Sequence, residues 1–274
     1  MNGTTPLSAV QQIRRMRGGS QSHLMRASDG HYYITKFQNN PQHVRVLANE
    51  FLASRLGLYL GLPMPEVAVI DVSDWLVNNT PELRVEMGGY LTPCRSGLQL
   101  ASRYVADPEK DMVFDYLPES LIVERTRNLQ DFARVLVLDK WTGNADGRQA
   151  VFAKPATARK YSAIFIDQGY CFNCSEWNFP DSALRGVYSR NFVYQHVTGW
   201  QSFEPALSRA EEIDSASLWR LTEGMPEEWW SRHGPVDDLP RLVENLCQRR
   251  SRIRDLITAF RNSSRNPFPD WAGN

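Results

Sequence analysis

Cysteine is scarce in this chain: four in 274 residues, at positions 94, 171, 174 and 247. That is too few and too scattered for a disulfide framework, so a reducing, cytoplasmic setting is the simplest expectation. Long apolar runs are missing too, and Met1 to Pro6 carries no apolar signal core, so neither a membrane span nor a secretory leader is predicted. An excess of one charge is also absent. Thirty-one Lys and Arg balance thirty-one Asp and Glu. A generic nucleic-acid binder carries a basic excess, because neutralising phosphates supplies most of its affinity, so that class is disfavoured. The five histidines (23, 31, 43, 196 and 233) stand in no metal-ligand spacing, and Cys171 and Cys174 form a lone C-x-x-C pair without a second one. Ser20, Ser22 and Ser96 lack the G-x-S-x-G setting of a hydrolase nucleophile. The chain does have apolar residues in quantity: 42% of the sequence, with 11% aromatic, enough to bury a core in one large domain or two lobes sharing a cleft. Trp219, Trp229, Trp230 and Trp271 read as packing or interface groups.

Along the chain, the first 90 residues read as mostly strand with one helix. Residues 10–17 alternate loosely and run into Gly18, Gly19 and Ser20. Ser22 to Ala27 and His31 to Phe37 are two predicted strands, with Ser28, Asp29 and Gly30 as their hairpin turn. Gln42 to Leu60 places apolar residues at 44, 47, 48, 51, 52, 56 and 60, the 3.6-residue period of an amphipathic helix, stopped by Gly61 and Pro63. Glu66 to Val72 predicts a further strand. From about residue 112 the pattern turns helical: Leu129 to Trp141 reads as a buried helix, two short strands follow at 150–153 and 162–166, and Asp238 to Arg261 has helical spacing. From Asn262 the polar tail is expected to fray. A β-rich part followed by a helical part predicts two lobes with a ligand cleft between them.

Several residues in this pattern suit phosphoryl transfer, which needs a loop over the phosphates, a cation on them, carboxylates for magnesium and a group that orients the acceptor. Gly18, Gly19, Ser20, Gln21 and Ser22 lie between two predicted strands, where small residues let backbone N–H groups approach a phosphate. Lys36 shares a strand face with Tyr32 and Ile34, and Glu50 lies 14 residues on, within an apolar helix. A carboxylate on an inward helix face needs a partner, and Lys36 is the nearest cation by topology; Arg45 and Arg55 are the local alternatives. Asp146 sits in the polar loop after the buried helix, where a carboxylate can orient an attacking hydroxyl. Asp167 ends an apolar strand ahead of Gln168 and Gly169 and suits a magnesium ligand. Each aspartate, taken alone, is also consistent with an ordinary turn.

Three stretches carry a family likeness: Asn49 to Pro65, Gly143 to Arg148, and Phe165 to Phe172, with Met225 to Trp229 and Arg249 to Arg250 in support. On them the chain resembles the HipA-like kinases, a branch of the protein-kinase-like superfamily, and its catalytic stretch is similar to phosphoinositide-kinase loops. The likeness runs from about Arg17 to Phe260. It implies an α+β, bilobal protein-kinase-like fold. Residues 1–90 would be a β-rich lobe with one αC-type helix, and 91–274 a mainly helical lobe. It further implies ATP and Mg2+ as cofactors and a protein serine or threonine as acceptor, with a regulatory partner protein compatible with the family. The residues Gly18 to Ser22 would then cover the phosphates, and Lys36, held by Glu50, would contact them. Asp146 would be the catalytic aspartate and Asp167 a metal ligand. Gly89 to Pro93, including Tyr90 and Leu91, would be the hinge against adenine. The chain departs from the kinase pattern at Val151, where a metal-binding asparagine is expected; Gln149 and Asn144 are the amides that could replace it. A nucleotide-binding pseudokinase serving as an interaction module, and a small-molecule phosphotransferase using acidic residues such as Glu204, Glu211 and Glu212, are the alternatives.

Overall fold

A computed structural model describes residues 7–231 and 238–272; Met1 to Pro6 and His233 lie outside the described residues. Five strands close into a barrel in the order β1-β2-β3-β7-β4. β1 (Leu7–Arg15) carries two register shifts against β2 (His23–Ala27), which accounts for its loose alternation. β2 turns into β3 (Tyr32–Lys36) through Ser28 to Gly30, with Gly30 at φ +82°, a value that glycine adopts without strain. α1 (Arg45–Tyr59) follows and is buried on nearly every face, because it is wedged between the barrel and the helical part. At Gly57 a Cβ would lie 2.2 Å from Met64 Sδ and 3.3 Å from the Leu138 side chain, so no larger residue permits that approach.

β4 (Val67–Val72) is followed by α2 (Asp74–Asn79), capped where Ser73 Oγ accepts from Leu76 N. β5 (Arg84–Met87) and β6 (Tyr90–Pro93) form a separate two-stranded hairpin. β7 (Gly97–Arg103) then returns to the barrel between β3 and β4. The barrel thus takes one of its five strands from residues 97–103, beyond residue 90 and beyond an exposed hairpin.

The remainder is built on a three-stranded sheet, order β10-β9-β8, and helices. β8 (Met112–Phe114) is followed by α3 (Glu119–Arg125) and α4 (Asp131–Thr142). α4 is closed by Gly143 in the left-handed conformation, φ +59°. β9 (Gln149–Lys154) and β10 (Ser162–Ile166) form the antiparallel pair after it. α5 (Ala206–Glu212), α7 (Asp238–Arg249) and α8 (Ile253–Arg261) pack around α4, whose Phe132, Leu136 and Trp141 are fully buried, and α6 (Ser215–Thr222) packs on α7 and α1. The helix expected from Asp238 to Arg261 is broken by a 3-10 turn at Arg250–Arg252. The tail expected to fray from Asn262 instead returns to the core. Phe268 is buried against Phe260, and Trp271 meets Trp200 edge-on at 5.2 Å, aromatic burial outweighing the polar composition. Among the described residues no helix is long and apolar enough to cross a membrane.

Candidate active site

Barrel and helical part enclose a cleft of about 730 Å³. Its roof is the end of β1 and the turn into β2, including Gly18, Gly19, Ser20 and Ser22; its floor carries Asp146, Gln149 and Asp167. An apolar patch of Ile34, Leu100, Val113, Val151 and Ile166 lines the same space. The alternation of β9 brings Gln149 and Val151 to one face, so the amide lies beside the carboxylates and the valine joins the apolar patch.

Lys36 is the centre of the charged cluster. β3 ends at this residue and delivers its ammonium to the back of the cleft, and α1, fixed by its apolar faces, delivers Glu50 to the same point. Lys36 Nζ donates to Glu50 Oε2 and, at 2.8 Å, to Asp167 Oδ1. Lys36 and Glu50 are both buried. Burial works against the Lys36 charge, but the facing Asp167 and Glu50 carboxylates outweigh it and hold the ammonium above the usual lysine range. The same lysine holds the Asp167 carboxyl below the usual carboxylate range.

The two floor carboxylates are linked through one amide. Gln149 Nε2 lies 3.5 Å from Asp146 Oδ2 and donates at 3.3 Å to Asp167 Oδ2, so both oxygens face a common point. Asp146 Oδ1 accepts from Gly147 N at 2.7 Å. Asp167 has φ +59°, a left-handed conformation that costs a non-glycine residue free energy and persists where its surroundings impose it. Among the described residues no group of three His, Cys, Asp or Glu is arranged to hold a metal. The two carboxylates are nevertheless hard oxygen donors that fit Mg2+ shared with substrate phosphates, and the Gln149 oxygen joins them when its amide is turned over, since Nε2 faces both here.

Four expected residues are placed elsewhere. Gln21 turns away from the cleft: its Nε2 donates to Glu86 O at 3.0 Å and its Oε1 accepts from Glu86 N at 2.6 Å, so it ties the roof to β5. Asn144 is buried behind the loop, donating to Asp139 Oδ1 at 2.8 Å and accepting from Asp146 N at 3.1 Å, which leaves it holding the loop rather than facing the cleft. Tyr90 and Leu91 are 78% and 65% exposed on β6, outside the cleft. The segment that connects barrel to helical part along the cleft is Ser102 to Val105, the last two residues of β7 and the two that follow it. Asp139 and Arg148 escape the sequence pattern, although an aspartate inside the apolar run Val135 to Trp141 is a usable signal, since a buried carboxylate requires a partner. Gln42, near Gly19 in the cleft wall, shows no such signal.

This architecture is kinase-like. It is similar to the Helicobacter pylori proinflammatory kinase CtkA, with TM-score 0.58 and 15% identity over 92% of this chain and 94% of that one. It is also similar to hydra Fam20 solved with sugar, with TM-score 0.53 and 12% identity over 98% of this chain and 88% of that one. A third similar structure is the Golgi casein kinase with Mn/ADP bound, with TM-score 0.50 and 11% identity over 94% of this chain and 73% of that one. The family model described as HipA-like kinase matches residues 9–253, and the chain belongs to that family. No curated protein matches the sequence.

Proposed function

We propose that the chain is an ATP-dependent phosphotransferase that moves the γ-phosphate of ATP to serine or threonine hydroxyls of a protein, in a reducing, cytoplasmic setting. The observation that carries this reading is the convergence of Lys36, Glu50, Asp146, Gln149 and Asp167 beneath the turn of Gly18 to Ser22. In this reading residues 7–103 form one lobe, with α1 as its αC-type helix, and the rest forms the other. The apolar patch around Leu100 and Val151 receives the adenine, with Ser102 to Val105 as the hinge. Lys36 binds the phosphates, and Glu50 keeps its ammonium at that position. Asp146 accepts a hydrogen bond from the acceptor hydroxyl and aligns it for in-line attack. Asp167, Asp146 and Gln149 would hold Mg2+, which neutralises phosphate charge when bound. The bound Mn/ADP of the similarly folded Golgi casein kinase supports such a ligand pair.

A second reading, a nucleotide-binding pseudokinase serving as an interaction module, draws on Val151, whose side chain offers no metal ligand. Labelled ATP given to wild type, Asp146→Ala and Asp167→Ala, with casein as acceptor, tests both. The expected result is label transfer to casein or to the chain itself by wild type alone, with nucleotide still bound by Asp146→Ala. Nucleotide binding without transfer of phosphate or adenylate in any form would establish the second reading instead.

A further inference from the structure

Beneath the cleft floor lies an ion pair that none of the roles above uses. Arg148 and Asp139 have side-chain exposures of 0% each. Arg148 donates through Nε to Asp139 Oδ2 at 3.0 Å and through Nη2 to Asp139 Oδ1, a two-pronged grip. Its Nη1 reaches the other way, to the carbonyl oxygen of Ile166 at 3.0 Å and to Gln168 Oε1. These are the residues on either side of Asp167. On the opposite side, Asp139 Oδ1 accepts from Asn144 Nδ2, and Asn144 Oδ1 accepts from the backbone of Asp146. One continuous chain of contacts therefore runs from Asp146 through Asn144, Asp139 and Arg148 to both neighbours of Asp167. Gly186 closes it from outside: a Cβ there would lie 2.6 Å from Asp139 Cβ and 3.2 Å from Asn144 Cβ.

We infer that Arg148 and Asp139 are positioning residues that set Asp146 and Asp167 against each other and hold Asp167 in its left-handed conformation. A buried ion pair is a weak source of stability, since apolar replacements of similar volume are commonly as stable or more so. What the guanidinium supplies is direction. Its N–H groups lie in one plane and reach Asp139 on α4 and the turn of Asp167 at fixed angles, which a lysine ammonium or a methyl group does not do. On one side Asp139 holds the loop of Asp146 through Asn144, and on the other the grip falls on the peptide before Asp167 and the side chain after it. That is where a backbone outlier needs support.

The consequence for turnover rests on the phosphotransferase reading; the geometric content does not. The test uses the full chain in two variants, Arg148→Lys, which keeps the charge and loses the fork, and the apolar pair Asp139→Leu with Arg148→Met, which keeps volume. Crystal structures are the first readout. In both variants the Asp146 and Asp167 carboxylates should separate or rotate by about 1 Å, losing their shared contact with Gln149 Nε2, a displacement that can lower kcat by about 10²-fold. The KM for ATP should stay within about threefold, because Glu50 still holds Lys36 and the roof is untouched. Unchanged carboxylate positions or unchanged kcat in a folded variant would overturn the inference, as would failure of both variants to fold, which would make the pair a stability element. Absence of transfer in wild type would remove the phosphotransferase reading alone, with the structures still deciding the positioning role.

Discussion

The floor and the roof of the cleft are held in different ways. The floor carboxylates stand on a cross-brace of buried charge, Asp139 and Arg148, with Asn144 and Gln168 completing the hydrogen bonds. The roof, Gly18 to Ser22, is held by its own turn bonds, from Met16 N to Ser22 O at 2.8 Å and from Gln21 N to Gly18 O at 3.2 Å, and by the Gln21 side chain, which meets Arg15 and the outer hairpin. The contrast follows the chemistry each side performs in the proposed reaction. Carboxylates that align an acceptor must already be in place before the reaction, since reorganising them during it would raise the barrier. A cover over the phosphates must admit and release nucleotide, so few strong bonds to the body of the protein suit it.

The largest expected effect tests whether the floor performs the chemistry. Asp146→Ala should lower kcat by about 10²–10⁴-fold with nucleotide affinity nearly unchanged, read from steady-state transfer and calorimetric binding. The next effect is on folding. Arg148→Met alone leaves Asp139 charged, buried and unpaired, and should cost about 3–5 kcal/mol in urea unfolding, whereas adding Asp139→Leu should recover most of that loss. If the single variant costs less than about 1 kcal/mol, the cross-brace is not the rigid half of the comparison.

A smaller effect comes from pH. The folded carboxyl of Asp167 lies below its ordinary value of 3.8, chiefly because Lys36 faces it. Its contribution to stability is therefore present above that value and is lost as pH falls through the depressed folded value. Asp167→Asn should make the acid limb of the stability profile shallower below about pH 4, measured as urea midpoints from neutral pH downward. The smallest effect belongs to the roof. Gln21→Ala should raise the KM for ATP by a few fold, about 0.5–1.5 kcal/mol for the lost hydrogen bonds, and leave global stability almost unchanged. A large fall in melting temperature with this variant would show that the roof is braced as firmly as the floor.

Much of this arrangement is legible in the residues themselves. Lys36 and Glu50 stand out because each is a charge on an otherwise apolar face, and the structure pairs them. The hairpin of β2 and β3 and the helix α1 follow from alternation and from the 3.6-residue period. The barrel strand β7 is harder to see, because an exposed hairpin separates it from its partners and its pairing is long-range. Gln21 and Asn144 illustrate a different difficulty. An amide can bind a ligand or replace a backbone partner with the same atoms, and only the fold decides which, here Glu86 for one and Asp139 for the other. Arg148 is hidden because an Asp-Gly-Arg run reads as solvent-facing turn, whereas the guanidinium folds back beneath it.

The bond between Gln21 and Glu86 has a mechanical consequence. The Gln21 amide meets both the N–H and the C=O of one residue of β5, as a neighbouring strand's peptide unit would. The turn of Gly18 to Ser22, the cover over the phosphates in the proposed reaction, is thereby tied to the β5–β6 ribbon, whose turn leads into the 78% exposed ring of Tyr90. In that reading a pull on the ribbon from solvent is also a pull on the roof of the cleft.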